Sequence, residues 1–266
     1  MTASSGISAK IRKTATEAAK KAGFLLMEKF NGNNSFSLKK NNTIVSGVDA
    51  LAESAIISLI KSNFPSHSIF SEEAGGAVTN DYLWIIDPLD GTTNYISGVP
   101  VFSVSIALLY DKEPIFGVIY NPVVKRLYVS EKGKGFYVNG KKATIKDKPF
   151  PDSILLLGKG VAEENSNLKM AKILRNSIEL KFPRTHRIFG SSALDLCSIA
   201  SMRASIFVSP GANSWDVAAG VLMVKEAGGS VFDFNGKEWS LESENLIASN
   251  REENCKLFLE KCLKKV

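Results

Sequence analysis

Apolar and small residues at the start of the chain recur at helical spacing: Ile7, Ile11, Ala15, Ala18, Ala22 and Leu25. They predict an amphipathic first helix whose apolar stripe faces a core. Residues 30–42, rich in Asn and Lys, read as a polar loop. A second helical pattern starts near Asp49, a candidate N-cap, and runs through Leu51, Ala55, Ile56, Leu59 and Ile60 before Pro65. The periodicity then shifts toward strands. Short apolar runs at 68–70 and 82–86 lead to a long run at 101–110, in which Phe102, Val104, Ile106 and Leu108 alternate with small partners. Runs at 114–120 and 126–130 follow after short connections, which predicts an antiparallel meander. Asn139-Gly140 is a strong two-residue hairpin signal.

Beyond residue 146 the pattern predicts strands at 154–157, 204–208, 231–234 and 246–248. Helices are expected at 168–174, 193–200, 215–227 and 252–263, with Gly228-Gly229 closing the third of these. There is no internal repeat and no low-complexity linker. Helices and antiparallel strands mixed throughout suggest layered sheets and helices, without the regular βαβ alternation of a doubly wound fold. The expected organisation is one domain over 1–266 with two lobes, 1–146 and 147–266.

Composition narrows the class. A 266-residue chain that is 44% hydrophobic and 23% charged is globular, so disordered and fibrous classes fall away. The net charge of +6 is dispersed. No cationic stripe is interleaved with aromatics, so no nucleic-acid partner is expected, and the excess is best read as solubility or as a field for a small anionic substrate. Cys197, Cys255 and Cys262 form neither a disulfide framework nor a zinc knuckle and read as reduced thiols. His67 and His186 cannot build a multi-histidine metal site and read as structural. No signal-peptide pattern and no run of about eighteen apolar residues occurs. The expectation is therefore a soluble, cytoplasmic protein with no membrane partner.

The chemistry concentrates in acids. Asp87-Pro88-Leu89-Asp90-Gly91-Thr92-Thr93 follows the apolar run at 82–86, with Pro88 expected to end that strand. Two carboxylates just off a strand end can converge on one cation. Gly91 permits close backbone approach, and free N–H groups at a helix start form an anion site. Carboxylates beside such a cradle are ingredients of metal-assisted phosphoryl chemistry. Taken singly, each acid has a plainer reading. Asp87 and Asp90 suit an Asx turn or cap, Glu72-Glu73 suits an exposed turn, and Asp216 suits favourable placement in a helix's first turn. Ala218, Ala219 and Gly220 would let that helix pack closely enough to deliver Asp216 to the other acids. Gly133-Lys134-Gly135 and Gly158-Lys159-Gly160 complete neither a dinucleotide fingerprint nor a P-loop and read as loops.

Taken together, Ser71-Glu72-Glu73, the segment Trp84 to Tyr95 around Asp-Pro-Leu-Asp-Gly-Thr, and Trp215-Asp216-Val217-Ala218-Ala219-Gly220 resemble the inositol monophosphatase family. These are Mg²⁺-dependent, lithium-sensitive phosphomonoesterases, hydrolases related to fructose-1,6-bisphosphatase. Gly117 to Tyr120, Lys132 to Gly135, Asn139-Gly140 and Glu226 to Gly229 fit the same pattern. The resemblance spans nearly the whole chain. It implies a five-layered αβαβα sandwich of mixed α+β (α/β) class, a homodimer, and two or three Mg²⁺ ions as cofactors.

The resemblance also implies residue roles. Glu72, Asp87 and the Leu89 carbonyl would hold one ion, and Asp87, Asp90 and Asp216 a second. A third, weaker ion would sit near Glu72. Thr92 would orient the attacking water, supported by Asp49, so that Glu72, Thr92 and Asp49 form the catalytic set. The N–H groups of Gly91 and Thr92 would receive the phosphate. Gly190, Ser191 and Ser192, together with Asp90 and Asp216, would face the substrate. Lys39 or Lys40 matches a lysine near the metal-bound waters. One departure stands out: where animal members carry a carboxylate that grips inositol hydroxyls, this chain has Ser209, a change expected to leave a roomier, less selective pocket. The expected function is hydrolysis of a small phosphomonoester, with inositol 1-phosphate first. Fructose-1,6-bisphosphate, histidinol phosphate and 3′-phosphoadenosine 5′-phosphate are the alternatives within the family. A non-catalytic binding protein on the same fold is the alternative of a different class.

Overall fold

The computed structural model describes residues 8–30, 36–38, 44–145, 154–158, 166–179 and 184–263. Helix α1 (Ala9–Lys29) is capped by Ser8, whose hydroxyl accepts the Ile11 N–H. Its buried stripe is Ile11, Ala15, Ala18, Ala22 and Leu26. Leu26, rather than the expected Leu25, is the fully buried leucine of that turn, and Leu25 is only partly buried. The segment expected to be loop contains β1 (Phe36–Leu38), paired antiparallel with β2 (Ile44–Ser46). Helix α2 (Gly47–Asn63) begins two residues before Asp49, so Asp49 lies in its first turn and is not its cap. Val48, Ala52, Ile56 and Ile60 are buried, whereas Leu51 is 56% exposed.

The first sheet has seven strands: β3 (Ser68–Ser71), β4 (Tyr82–Asp90), β5 (Ser103–Tyr110), β6 (Glu113–Asn121), β7 (Arg126–Glu131), β8 (Gly135–Val138) and β9 (Lys141–Ala143). They lie in sequence order, and a short helix, α3 (Thr92–Ile96), interrupts the chain between β4 and β5. The expected meander is present from β4 onward, while β3 joins β4 in parallel. Asn139 and Gly140 both take positive φ, 48° and 78°, as a type I′ hairpin turn requires. The strand before the acidic motif does not stop at Pro88. β4 runs through to Asp90, with a register shift between Asp87 and Asp90 that absorbs the proline. Trp84, Ile86, Ile106 and Leu108 pack toward α1 and α2. Leu83, Ile85, Ala107 and Leu109 pack on the opposite face. Burial on both faces explains why these strands read as near-continuous apolar runs.

The second sheet is built from β10 (Ile154–Leu157), β11 (Thr185–Arg187), β12 (Ile206–Ser209), β13 (Ser230–Phe232) and β14 (Leu246–Ser249). Its order is β11-β10-β12-β14-β13, and β10 is parallel to both its neighbours. These parallel pairs correct the expectation of antiparallel strands throughout. They arise because α4 (Ser166–Glu179) and α5 (Ser192–Ala200) carry the chain back between strands. Strand β11 escaped the sequence pattern because it is three partly exposed polar residues, Thr185, His186 and Arg187. Helix α6 (Ser214–Ala227) ends on Gly228 in the left-handed conformation, and α7 (Glu252–Phe258) continues as a π-helical turn, Leu259–Leu263. Leu156, Phe207 and Ala248 face α5 and α6. Leu155, Leu157, Val208 and Ile247 face Ile173, Cys255 and Phe258 on the outer helices. The layers are therefore α1/α2, seven strands, α5/α6, five strands and α4/α7: the five-layered sandwich.

All three cysteines are buried and unpaired. His67 is structural, its Nδ1 accepting the Trp84 Nε1–H at 3.0 Å while its ring stacks on Phe64 and Tyr82. Among the described residues no helix is long and apolar enough to cross a membrane.

Candidate active site

The site grows from the carboxyl end of β4. Asp87 is buried, and its Oδ1 accepts the Leu89 N–H at 2.9 Å, which holds the irregular strand end in shape. Gly91 has a φ of 99°, and a side chain there would meet the Val101 carbonyl at 2.9 Å and the Gly190 carbonyl at 3.2 Å. Only glycine fits both the conformation and the gap. The Thr92 hydroxyl donates to the Leu89 carbonyl at 3.0 Å. Its remaining lone pairs can only accept. Asn94, one helical step further, donates from Nδ2 to the carbonyls of Val101 (2.8 Å) and Phe189 (2.6 Å). That contact ties the Gly190 loop to α3.

Two further carboxylates join Asp87. Glu72 follows β3, and its N–H donates to the Ile86 carbonyl at 3.1 Å, directly beside Asp87. Asp216 lies in the first turn of α6, accepting a hydrogen bond from Asn213 Nδ2 at 3.2 Å. Oxygens of Glu72, Asp87 and Asp216 all lie within 4.8 Å of one another. Helix α6 can deliver Asp216 because its small residues allow close approach. A side chain on Gly220 would sit 2.6 Å from Leu196 of α5, and one on Gly117 of β6 would sit 3.1 Å from the Ala219 carbonyl.

Asp90 is placed differently. It is not among the three mutually close carboxylates. Its Oδ2 accepts from the hydroxyls of Ser103 and Ser191 and from the Ala193 N–H, and its Oδ1 from the Ser192 N–H. Ser191 and Ser192, expected to face the substrate, are thus fastened to Asp90 at the start of α5. Gly190 precedes them with a φ of 76°. Asp49 is buried in the first turn of α2. Lys39 and Lys40 lie outside the described residues. Ser209 is 0% exposed, and its Oγ lies 3.1 Å from where a side chain on Gly158 would begin. It packs against the end of β10 and lines no open wall, which removes the basis for expecting a roomier pocket there.

The electrostatics follow from crowding. Burial pushes the Asp87 carboxyl well above the ordinary range, and Glu72, Asp90 and Asp216 push it further. Burial also raises Asp216, reinforced by Asp90 and Glu72 and partly opposed by its bonds from Asn213. Burial raises Asp90 to about 6, an effect moderated by the bonds from Ser191, Ala193, Ser103 and Ser192. These carboxylates are high in energy when charged and unneutralised. The donor set is all oxygen, with no His or Cys, which suits a hard divalent cation. The residues present fit such an ion.

Two acids escaped the sequence reading. Glu53 on α2 is buried, and its Oε1 accepts the N–H groups of Glu73 and Ala74. The available signal was its position one turn after Asp49, on the same helix face. Asp195 on α5 is buried with neither carboxylate oxygen hydrogen-bonded. An acid flanked by the apolar residues Ala193, Leu196 and Cys197 was the signal there.

The profile of the inositol monophosphatase family matches residues 8–265. Inositol monophosphatase 1 of Solanum lycopersicum is 37% identical over 243 residues, covering 89% of each chain. Nus factor SuhB of Pasteurella multocida is 35% identical over 239 residues, covering 88% of this chain and 89% of its own. Among solved structures, the extragenic suppressor protein suhB from Bartonella henselae superposes with a TM-score of 0.87 at 33% identity, covering 96% of this chain and 98% of its own. An IMPase from Thermotoga maritima gives a TM-score of 0.85 at 31% identity, covering the same shares.

Proposed function

Because this chain belongs to the inositol monophosphatase family and is a phosphatase, we propose that it hydrolyses small phosphorylated polyols with Mg²⁺, and that inositol 1-phosphate is its first substrate. The observation that carries this reading is the convergence of Glu72, Asp87 and Asp216 within 4.8 Å of one another. Two or three Mg²⁺ ions are expected. Glu72, Asp87 and the Leu89 carbonyl would hold one, and Asp87, Asp90 and Asp216 another. Bound divalent ions supply electrostatic stabilisation of the charge that develops in phosphoryl transfer.

The chain's own residues do the positioning. Thr92 spends its proton on the Leu89 carbonyl, so it can only accept a hydrogen bond from water. In that role it would hold the attacking water by one of the water's protons. Asp49 supports this arrangement from α2. The N–H groups of Gly91 and Thr92 receive the phosphate oxygens. Gly190, Ser191 and Ser192 face the alcohol, held in place through Asp90. Cys197, Cys255 and Cys262 are buried and unsuited to nucleophilic attack, so direct attack by water is the reading.

Li⁺ is expected to inhibit, as the family resemblance implies. A homodimer over one phosphatase domain, with lobes 1–146 and 147–266, completes the proposal. The test is a phosphate-release panel with inositol 1-phosphate, fructose-1,6-bisphosphate, histidinol phosphate and 3′-phosphoadenosine 5′-phosphate, each with Mg²⁺ and after exhaustive chelation. Inositol 1-phosphate should give the highest kcat/KM, and chelation should abolish release. Full activity after chelation would overturn the mechanism, and no turnover of any ester would favour a binding protein.

A further inference from the structure

We infer that Glu53 is a positioning residue for this phosphatase, holding the Glu72-Glu73-Ala74 turn so that the Glu72 carboxylate stays with Asp87 and Asp216. The inference rests on the reading of Glu72 as a metal ligand. Glu53 is 6% exposed on the inner face of α2. A glutamate so buried requires partners. Its Oε1 accepts the N–H groups of Glu73 and Ala74 at 3.1 Å each, the two donors that directly follow Glu72. Both bonds are charge-assisted and so stronger than neutral ones.

The rest of the turn is anchored elsewhere. Ser71 and Gly75 exchange two backbone hydrogen bonds at 3.0 Å, which closes the base of the loop. The Glu72 N–H donates to Ile86 on β4. Glu53 adds an attachment from α2 to the crown of the turn. Without it, two N–H groups lose their acceptor. The loop stays closed at its base but can pivot about it, carrying the Glu72 side chain away from the other two acids. Residues that orient metal ligands from behind commonly govern affinity in this way.

One oxygen accepts both bonds, and this separates positioning from charge. A glutamine carbonyl can accept the same two N–H groups without a negative charge. The experiment measures thermal melting midpoints of full-length wild type, Glu53→Ala, Glu53→Gln and Glu72→Gln across a Mg²⁺ titration, with phosphate release followed in parallel. The half-saturating Mg²⁺ concentration of Glu53→Ala is expected to rise about tenfold or more. Glu53→Gln should stay within about threefold of wild type, because a neutral acceptor gives up only part of each bond. Its KM for the ester at saturating Mg²⁺ should be unchanged. Should Glu53→Ala fail to fold, Glu53→Asp replaces it. That variant keeps the charge but shortens the reach, and positioning requires it to lose Mg²⁺ affinity. Equal losses in Glu53→Ala and Glu53→Gln would overturn positioning in favour of direct charge. An unchanged Mg²⁺ response in Glu53→Ala would overturn any role. If Glu72→Gln also responds normally, the metal reading itself fails; if it alone fails to respond, only the inference about Glu53 does.

Discussion

At the residue scale, Asp195 and Asp90 are two buried carboxylates with opposite surroundings. The Asp195 carboxylate has no hydrogen-bond partner among the described residues, and the residue is 1% exposed. Burial raises its carboxyl well above the ordinary range, and nearby Asp90 adds to this. The folded state therefore keeps a proton that the unfolded state releases from about pH 4 upward. Stability falls as pH rises through that window, and the deficit persists above it. Asp195→Asn, neutral at every pH, is expected to melt higher than wild type at pH 7.5, by an equivalent of about 1–3 kcal/mol. The gap should close below about pH 4, where the unfolded-state carboxyl is itself protonated. Melting curves from pH 3.5 to 8 check this, and a gap that does not depend on pH would contradict it. Asp90 faces four donors. An asparagine there must turn its NH₂ toward at least one of them. Asp90→Asn should therefore fold with stability lowered by about 1–3 kcal/mol, from one unmet buried donor. Its turnover should be nearly abolished, since the amide also lacks the charge a cation requires. Circular dichroism melts with a phosphate-release assay test both parts; near-normal turnover in the folded variant would show the site is elsewhere.

At the scale of elements, α6 is decisive. It is sandwiched between two sheets and against α5, and its small residues set the separations. A methyl group on Gly220 would fall 2.6 Å from both Cβ and Cδ1 of Leu196. Because Cβ is fixed to the α5 backbone, rotamer changes cannot relieve the clash. Gly220→Ala is expected to cost about 1–3 kcal/mol through overpacking. It should also weaken Mg²⁺ binding, because Asp216 rides on the same helix. Melting midpoints with and without Mg²⁺ measure both; a stability equal to wild type would mean the helices separate freely. This close packing was legible in Ala218-Ala219-Gly220, as were the apolar faces of α1 and the meander. The strand inside the polar segment 30–42 was not, because β1 is recognised by its pairing with β2 rather than by composition. The persistence of β4 through Pro88 was likewise hidden, since a proline is tolerated where the ladder already shifts register.

At the scale of the whole molecule, crowding of buried acids links proton uptake to stability, and a bound cation would enter the same balance. Asp87, Asp90 and Asp216 all have raised carboxyl pKa values, with Asp90 at about 6. Without a cation, the folded protein gains protons relative to the unfolded chain, so its stability declines as pH rises from about 4 through 6. A divalent cation reverses the balance by favouring the charged carboxylates. Mg²⁺ should raise the melting midpoint more at pH 7.5 than at pH 5, and its binding near pH 6 should release protons. Calorimetric titration in buffers of differing ionisation enthalpy detects that release. Identical heats in all buffers would mean the acids are already ionised, contrary to the burial described.

The sequence by itself determined which faces of the helices and strands are buried, where the Asn139-Gly140 hairpin turns, and that acids cluster in the run from Asp87 to Asp90 just before Gly91 and Thr92. These are local properties, set by periodicity, by φ preferences and by residue type over a few neighbouring positions. Only the tertiary structure decided which acids meet. Glu72, Asp87 and Asp216 converge because parallel pairing sets β3 beside β4 and tight packing brings α6 against the sheet. Asp90, close enough to raise the Asp87 and Asp216 carboxyls, is also fastened to the first turn of α5, Glu53 reaches the Glu72 turn from α2, and Ser209 is enclosed. Desolvation and hydrogen-bond partnership belong to spatial neighbours, and a residue's spatial neighbours are chosen by sheet order and helix packing rather than by its place in the chain.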